Sequence, residues 1–168
     1  RPYRFLDLGT GTGCLLLALL SEYPAASGIG VDIAPGAAGT ARDNAERLGL
    51  GARARFVVGN WAAALTGRFD AVIANPPYIE RAAIPDLPPE VRRYDPVRAL
   101  DGGGDGLVAY RAIAAELSQL LPPGGLFATE IGLGQASAIT AILTRHGLRV
   151  DGITSDLAGI KRCVIARR

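Results

Sequence analysis

Residues able to do chemistry cluster at two places in this sequence. One is "FDAVIANPPYIE", Phe69 to Glu80, which begins as a buried strand and breaks at Asn75. Asn75 carries a side-chain carbonyl that accepts hydrogen bonds. Pro76 and Pro77 have no N–H and hold φ near −65°, so the turn is stiff and its carbonyls can face a ligand. Tyr78 adds an aromatic wall and one hydroxyl. Two acceptors for two hydrogens, with a ring to stack on, suit a planar –NH2 group. Asn and Pro are also ordinary turn residues, so the tetrapeptide in isolation reads equally well as the end of a strand.

The other place is "DLGTGTG", Asp7 to Gly13, followed by the apolar run "CLLLALL". Gly9, Gly11 and Gly13 let the backbone turn tightly and approach a ligand closely. Thr10 and Thr12 complete the turn, which aims free N–H groups of the next helix at that ligand. A dinucleotide fingerprint G-x-G-x-x-G needs glycine at position 14, which is Cys14 here. The spacing G-x-G-x-G, with Asp7 two residues ahead, fits a nucleoside ligand without a pyrophosphate. Asp32, about 20 residues on at the end of the next strand, can accept both hydroxyls of a ribose. After the third strand, "RARFVVGNW" ends in Asn60 and Trp61. An indole can stack on a purine, and Asn60 can accept from an exocyclic amine. A core or lid role for Trp61 is the plainer reading; its place at a strand's carboxyl end favours the ligand.

The elements that must position these residues alternate along the chain. Strand signals run over 3–8, 27–33, 55–58, 69–74, 126–131, 149–153 and 163–166. Helix signals run over 14–22, 37–48, 107–121 and 136–146. Such alternation predicts an α/β fold: a doubly wound, Rossmann-like, seven-stranded, mostly parallel sheet covered on both faces. The last two strands leave no room for a helix between them, so an antiparallel C-terminal strand is expected. The connection from 75 to about 105 is too long for a neutral linker and reads as functional. Along it Arg81, Arg92, Arg93 and Arg98 face Glu80, Asp86, Glu90, Asp95 and Asp101, a solvated or protein-facing mixture that cannot track phosphates.

The 168 residues suffice for one sizeable core. Net charge is +2 with signs interspersed, which gives no electrostatic case for direct nucleic-acid binding or for a membrane partner. Cys14 and Cys163 lack metal or disulfide spacing. In their apolar surroundings both are expected to be small buried hydrophobes in a reducing cytoplasm. His146 is the only histidine, and it reads as the end of a helix closed by Gly147. No metal is expected. The chain has no methionine and starts just before its first strand, which suggests a domain of a longer protein.

Taken together, the two motifs resemble the class I S-adenosylmethionine-dependent methyltransferases: "DLGTGTG" looks like their first motif, and "NPPY" like that of members methylating a planar amino nitrogen. More narrowly, "NPPYI", "RRYDPVRALDGGGDGL" and the tail "DLAGIKR" resemble the HemK/PrmC family, the protein N5-glutamine methyltransferases of peptide chain release factors. The resemblance spans essentially the whole chain, residues 1–168, as a catalytic domain; the family's N-terminal helical domain, which helps dock the release factor, is expected to be missing. It implies that the turn from Gly9 to Gly13 cradles the methionine part of S-adenosylmethionine. It further implies that Asp32 binds the ribose, Trp61 and Asn60 hold the adenine, and Asn75 to Tyr78 grip the glutamine amide. S-adenosylhomocysteine would be the product, a release factor the partner, the cytoplasm the location and a monomer the state. Asn60 departs from the Asp common in relatives, and Asp95 from a common Glu. The competing expectation is an N6-adenine or other amino-methyltransferase acting on DNA or RNA.

Overall fold

The computed structural model describes residues 1–63 and 65–168. A seven-stranded sheet forms its centre, with β1 Arg4–Leu8, β2 Ser27–Asp32, β3 Ala54–Val58, β4 Ala71–Ala74, β5 Leu126–Glu130, β6 Arg149–Ser155 and β7 Lys161–Arg167. The central strands are short and mostly apolar, whereas β6 at the edge is largely exposed. β1 exposes only its first residue, and Leu6 and Leu8 are fully buried, as a strand covered on both faces requires. The order is β3-β2-β1-β4-β5-β7-β6. All neighbours are parallel except β7, which runs antiparallel to both β5 and β6. The fold is therefore α/β, doubly wound and Rossmann-like, with an antiparallel C-terminal strand as expected.

Helices cover both faces. On one, α1 Cys14–Glu22 and α2 Pro35–Arg47 bury Leu16, Leu17 and Leu20 together with Ala38, Ala41 and Ala45. Alanine at these spacings gives α2 a small-residue face that lies close to the strands, and Pro35 starts it where its missing N–H costs nothing. On the other face lie α5 Val108–Leu120 and α6 Ala136–Arg145, whose Ile113, Leu117, Ile139 and Leu143 join Leu6, Leu8 and Phe127 in the larger core.

The long connection is not structureless. It holds a 3-10 turn over Arg81–Asp86 and two short helices, α3 Pro89–Tyr94 and α4 Val97–Leu100, none with a buried residue. It returns to the sheet edge at a parallel bridge between Ile79 and Asp101. α6 ends as expected, capped by His146 and followed by Gly147 at φ 80°.

The expectation for the cysteines is corrected. Cys14 is exposed and Cys163 only half-buried. Cys14 opens α1 on the side facing away from the sheet, so its apolar neighbours in sequence are not its neighbours in space. Burial still pushes the Cys163 thiol above its ordinary range.

Candidate active site

Register decides where the chemistry sits. β1 Leu8 pairs with Val31 of β2 and Ala74 of β4, and Asp32 pairs with Val58 of β3. Four strands thus end at nearly one level, and the glycine turn, Asp32, Asn60–Trp61 and Asn75 leave the sheet along one edge. β1 is also where the strand order reverses, with β2 and β3 on one side and β4 and β5 on the other. A crevice at the carboxyl ends of such strands is the favoured ligand site of open α/β sheets.

A cavity of about 380 Å3 occupies that crevice, within the range of small-molecule pockets. It is lined by Gly9 and Gly11, by Asp32 and Ile33, by Asn60 and Trp61, and by Asn75 and Pro77. Arg98, Ala99 and Asp101 from the long connection close its rim. A larger groove of about 690 Å3 lies at the opposite strand ends, beside Tyr3, Tyr23 and Leu126. It holds none of the motif residues, and its Asp70 is already paired with Arg1 at 2.6 Å.

The local geometry shows why these residue types are needed. Gly11 has φ 54° and would point a Cβ into open space, so its backbone faces the cavity bare. Gly9, at φ 76°, lies where a Cβ would come within 3.5 Å of the Trp61 ring. Trp61 itself has φ 49°, which is costly for a bulky side chain. The turn after it is tied down by the Ala62 N–H donating to Glu116 on α5 at 2.8 Å. Asp32 accepts from the Gly11 N–H and the Ala34 N–H, both at 2.8 Å, one on each carboxylate oxygen. It thereby fixes the glycine turn and keeps lone pairs for a ligand. α1 starts from Gly13 with no side-chain cap, and the Leu16 N–H of its first turn points to the Asp7 carboxylate.

Not every motif residue faces the cavity. Thr10 is buried, with its hydroxyl donating to Asp7 at 2.7 Å. Thr12 is exposed on the outer side, its carbonyl accepting from the Asn44 amide. At Gly13, φ is 81° and a Cβ would come within 3.1 Å of Ala41 and Phe56, so this glycine serves helix packing. Pro76 is buried behind Asn75. Tyr78 is half-buried, with its hydroxyl donating to Glu130 at 3.3 Å; burial, then the Glu130 charge, raises its pKa and keeps it protonated.

Two residues have importance that spacing alone did not reveal. Asp7 is 1 % exposed beneath the turn and has one carboxylate oxygen without a partner. Burial drives its pKa up to about 6, only partly offset by the Thr10 hydroxyl and the Leu16 N–H. Its only sequence signal was its place ahead of the first glycine. Gln135 joins the Tyr78 carbonyl to the end of β5; nothing near it in sequence marked it. Among the described residues, no cluster of three or more His, Cys, Asp or Glu could hold a metal, and no helix is long and apolar enough to cross a membrane.

A family model described as a methyltransferase domain matches residues 2–138. The release factor glutamine methyltransferase of Rhodospirillum rubrum is 55 % identical over 165 residues, covering 98 % of this chain and 51 % of that protein. Its counterpart in Bradyrhizobium diazoefficiens is 50 % identical, covering 98 % of this chain and 56 % of that protein. The chain thus spans about half the length of the curated relatives it matches. Among solved structures, ribosomal protein L11 methylase from Lactobacillus delbrueckii subsp. bulgaricus superposes with a TM-score of 0.75 at 19 % identity, covering 100 % of this chain and 71 % of that one. TrmN from Thermus thermophilus gives 0.71 at 21 % identity, over 100 % and 45 %. At such identities these two speak for the fold alone.

Proposed function

This chain belongs to the methyltransferase-domain family, and on that premise we propose that it moves a methyl group from S-adenosylmethionine to the side-chain amide nitrogen of a glutamine in a peptide chain release factor. The observation that carries the reading is that Asp32 and Asn75 line one cavity. A ribose-binding carboxylate and an amide-binding turn there face a common space. The relatives named for release factor glutamine methylation, at 55 % and 50 % identity, support the choice of substrate.

The residues present fit the cofactor. Bare backbone at Gly9 and Gly11 suits its amino-acid part, Asp32 its ribose hydroxyls, and Trp61 with Asn60 its adenine. The buried Asp7 carboxyl beneath the turn, one oxygen of which lacks a close partner among the described residues, supplies negative potential for a ligand bearing ammonium and sulfonium charges. When bound, S-adenosylmethionine supplies a strongly electrophilic methyl carbon.

The protein's own task is then to hold a poor nucleophile. An amide nitrogen has a delocalised lone pair, so orientation matters more than a strong base. The Asn75 side-chain carbonyl and the Pro76 carbonyl accept its two hydrogens, Pro77 stiffens the turn, and Tyr78, outside the cavity lining, backs the turn through its hydroxyl on Glu130. Orientation of this kind can supply roughly 7–11 kcal/mol. Asn75, Pro76, Pro77 and Tyr78 are thus the residues to which we assign the substrate amide. Release factors act in translation, so the cytoplasm is the working location, and nothing in the reaction calls for more than one copy of the chain.

The test is to offer methyl-labelled cofactor with a release factor, DNA and ribosomal RNA in parallel, and to map the label by mass spectrometry. Label on a release-factor glutamine supports the reading. Label confined to nucleic acid overturns it in favour of an amino-methyltransferase acting on bases.

A further inference from the structure

Tyr78 ends the proposed substrate turn, and its main chain is gripped from outside. The Gln135 side-chain amide donates to the Tyr78 carbonyl at 2.9 Å and to the Gly106 carbonyl at 3.3 Å. Its oxygen accepts from the Gly132 N–H at 2.9 Å. One half-buried side chain therefore joins three segments: the turn after β4, the loop before α5 and the loop after β5. The space for this junction is cleared by glycines. A Cβ on Gly106 would lie 2.5 Å from both the Gln135 amide nitrogen and the Tyr78 carbonyl oxygen. One on Gly102 would lie 2.9 Å from the Tyr78 carbonyl carbon, and one on Gly132 3.0 Å from the Tyr78 ring. Beyond Tyr78 the chain is strapped again. The Ile79 N–H donates to the Leu100 carbonyl at 3.0 Å, and the Gly102 N–H to the Ile79 carbonyl at 2.8 Å.

We propose that Gln135 is a positioning residue, which fixes the Tyr78 carbonyl and through it sets the direction of the Pro76 carbonyl. Proline locks φ at 77, so only a few soft torsions separate the two carbonyls. An acceptor held from both sides stays aimed; one held only through β4 can swing. Gln135 suits the post because it needs a donor for two carbonyls and an acceptor for one N–H at once, which a carboxylate or an alkyl group cannot offer. It has no place in the cavity lining, so it acts on the turn and not on the cofactor. The inference rests on the reading of Asn75–Tyr78 as the turn that holds the substrate amide.

The test compares Gln135→Glu with Gln135→Leu. The Glu variant is isosteric and keeps the acceptor for Gly132 while losing both donated bonds, so it separates the clamp from simple packing. Both variants should lower kcat on the methyl-accepting substrate about 100-fold, the cost of misplacement on the ångström scale. Cofactor affinity by titration calorimetry should stay within about twofold of wild type. Hydrogen exchange should quicken at the Ile79, Arg81 and Gly102 amides while α6 stays protected. Unchanged exchange at those amides overturns the clamp, as does a loss of cofactor affinity in step with kcat. If wild type itself fails to methylate a release factor, the reading of the substrate fails, and the exchange measurement alone still decides whether Gln135 holds the turn.

Discussion

At the scale of single residues, Asp32 and Asp7 make opposite demands on the same turn. Asp32 is half-exposed and already accepts two backbone N–H groups. Asp32→Ala removes charge-assisted bonds of about 1.5–3 kcal/mol, so cofactor affinity should fall roughly 10- to 100-fold in a calorimetric titration. An unchanged affinity would refute its role. Asp7 is the more unusual acid. Its native pKa of about 6 lies above the ordinary 3.8 because burial disfavours the charged form. Between those values the native state binds more protons than the unfolded chain, so stability falls as pH rises through roughly 4 to 6. The difference in unfolding free energy between Asp7→Asn and wild type should therefore move toward the variant by up to about 3 kcal/mol from pH 4 to pH 7. Denaturant titrations across that range check it; a difference that ignores pH contradicts the buried carboxyl. Asp32, Trp61 and Asn75 were legible in the sequence because each ends a strand or follows one within three residues. Thr10 was not, since a threonine between two glycines gives no sign that its hydroxyl turns inward to Asp7.

At the scale of elements, alternation of apolar strands and amphipathic helices was enough to place all seven strands and the four longer helices, with boundaries shifted by at most two residues. The short helices α3 and α4 were hidden. They bury nothing, so they carry no apolar periodicity. The tail "DLAGIKR" forms the hairpin turn between β6 and β7 and the first two residues of β7. There the Asp156 carboxylate accepts from the Ala158 and Ile160 N–H groups, and these bonds help hold it below the usual carboxylate range. The glycine turn has its own structural demand. Gly13→Ala places a Cβ at φ 81° and 3.1 Å from Phe56 and Ala41. The left-handed conformation alone costs about 1–2 kcal/mol. Urea unfolding should show at least that loss; a neutral Gly13→Ala would mean that the junction of α1, α2 and β3 is looser than its packing indicates.

At the scale of the whole molecule, the strand order could not be read from the sequence, because pairing is set by contacts far apart in the chain. β7 inserts between β5 and β6 although it follows both. Yet this order brings two motifs more than 60 residues apart to one cavity. Net charge is +2, and the cavity rim sets Arg98 against Asp101, which is itself paired with Arg81 at 2.9 Å. A phosphate-tracking surface loses affinity steeply with salt; here duplex DNA and structured RNA should bind weakly with a shallow salt dependence, measurable by fluorescence anisotropy. Tight, steeply salt-dependent binding would favour a nucleic-acid substrate. The most direct test of the central claim, one cavity with a cofactor side and an amide side, is Asn75→Ala assayed twice. Cofactor should still bind measurably by calorimetry, while methyl transfer to release-factor glutamine disappears. Full transfer by Asn75→Ala would contradict the account.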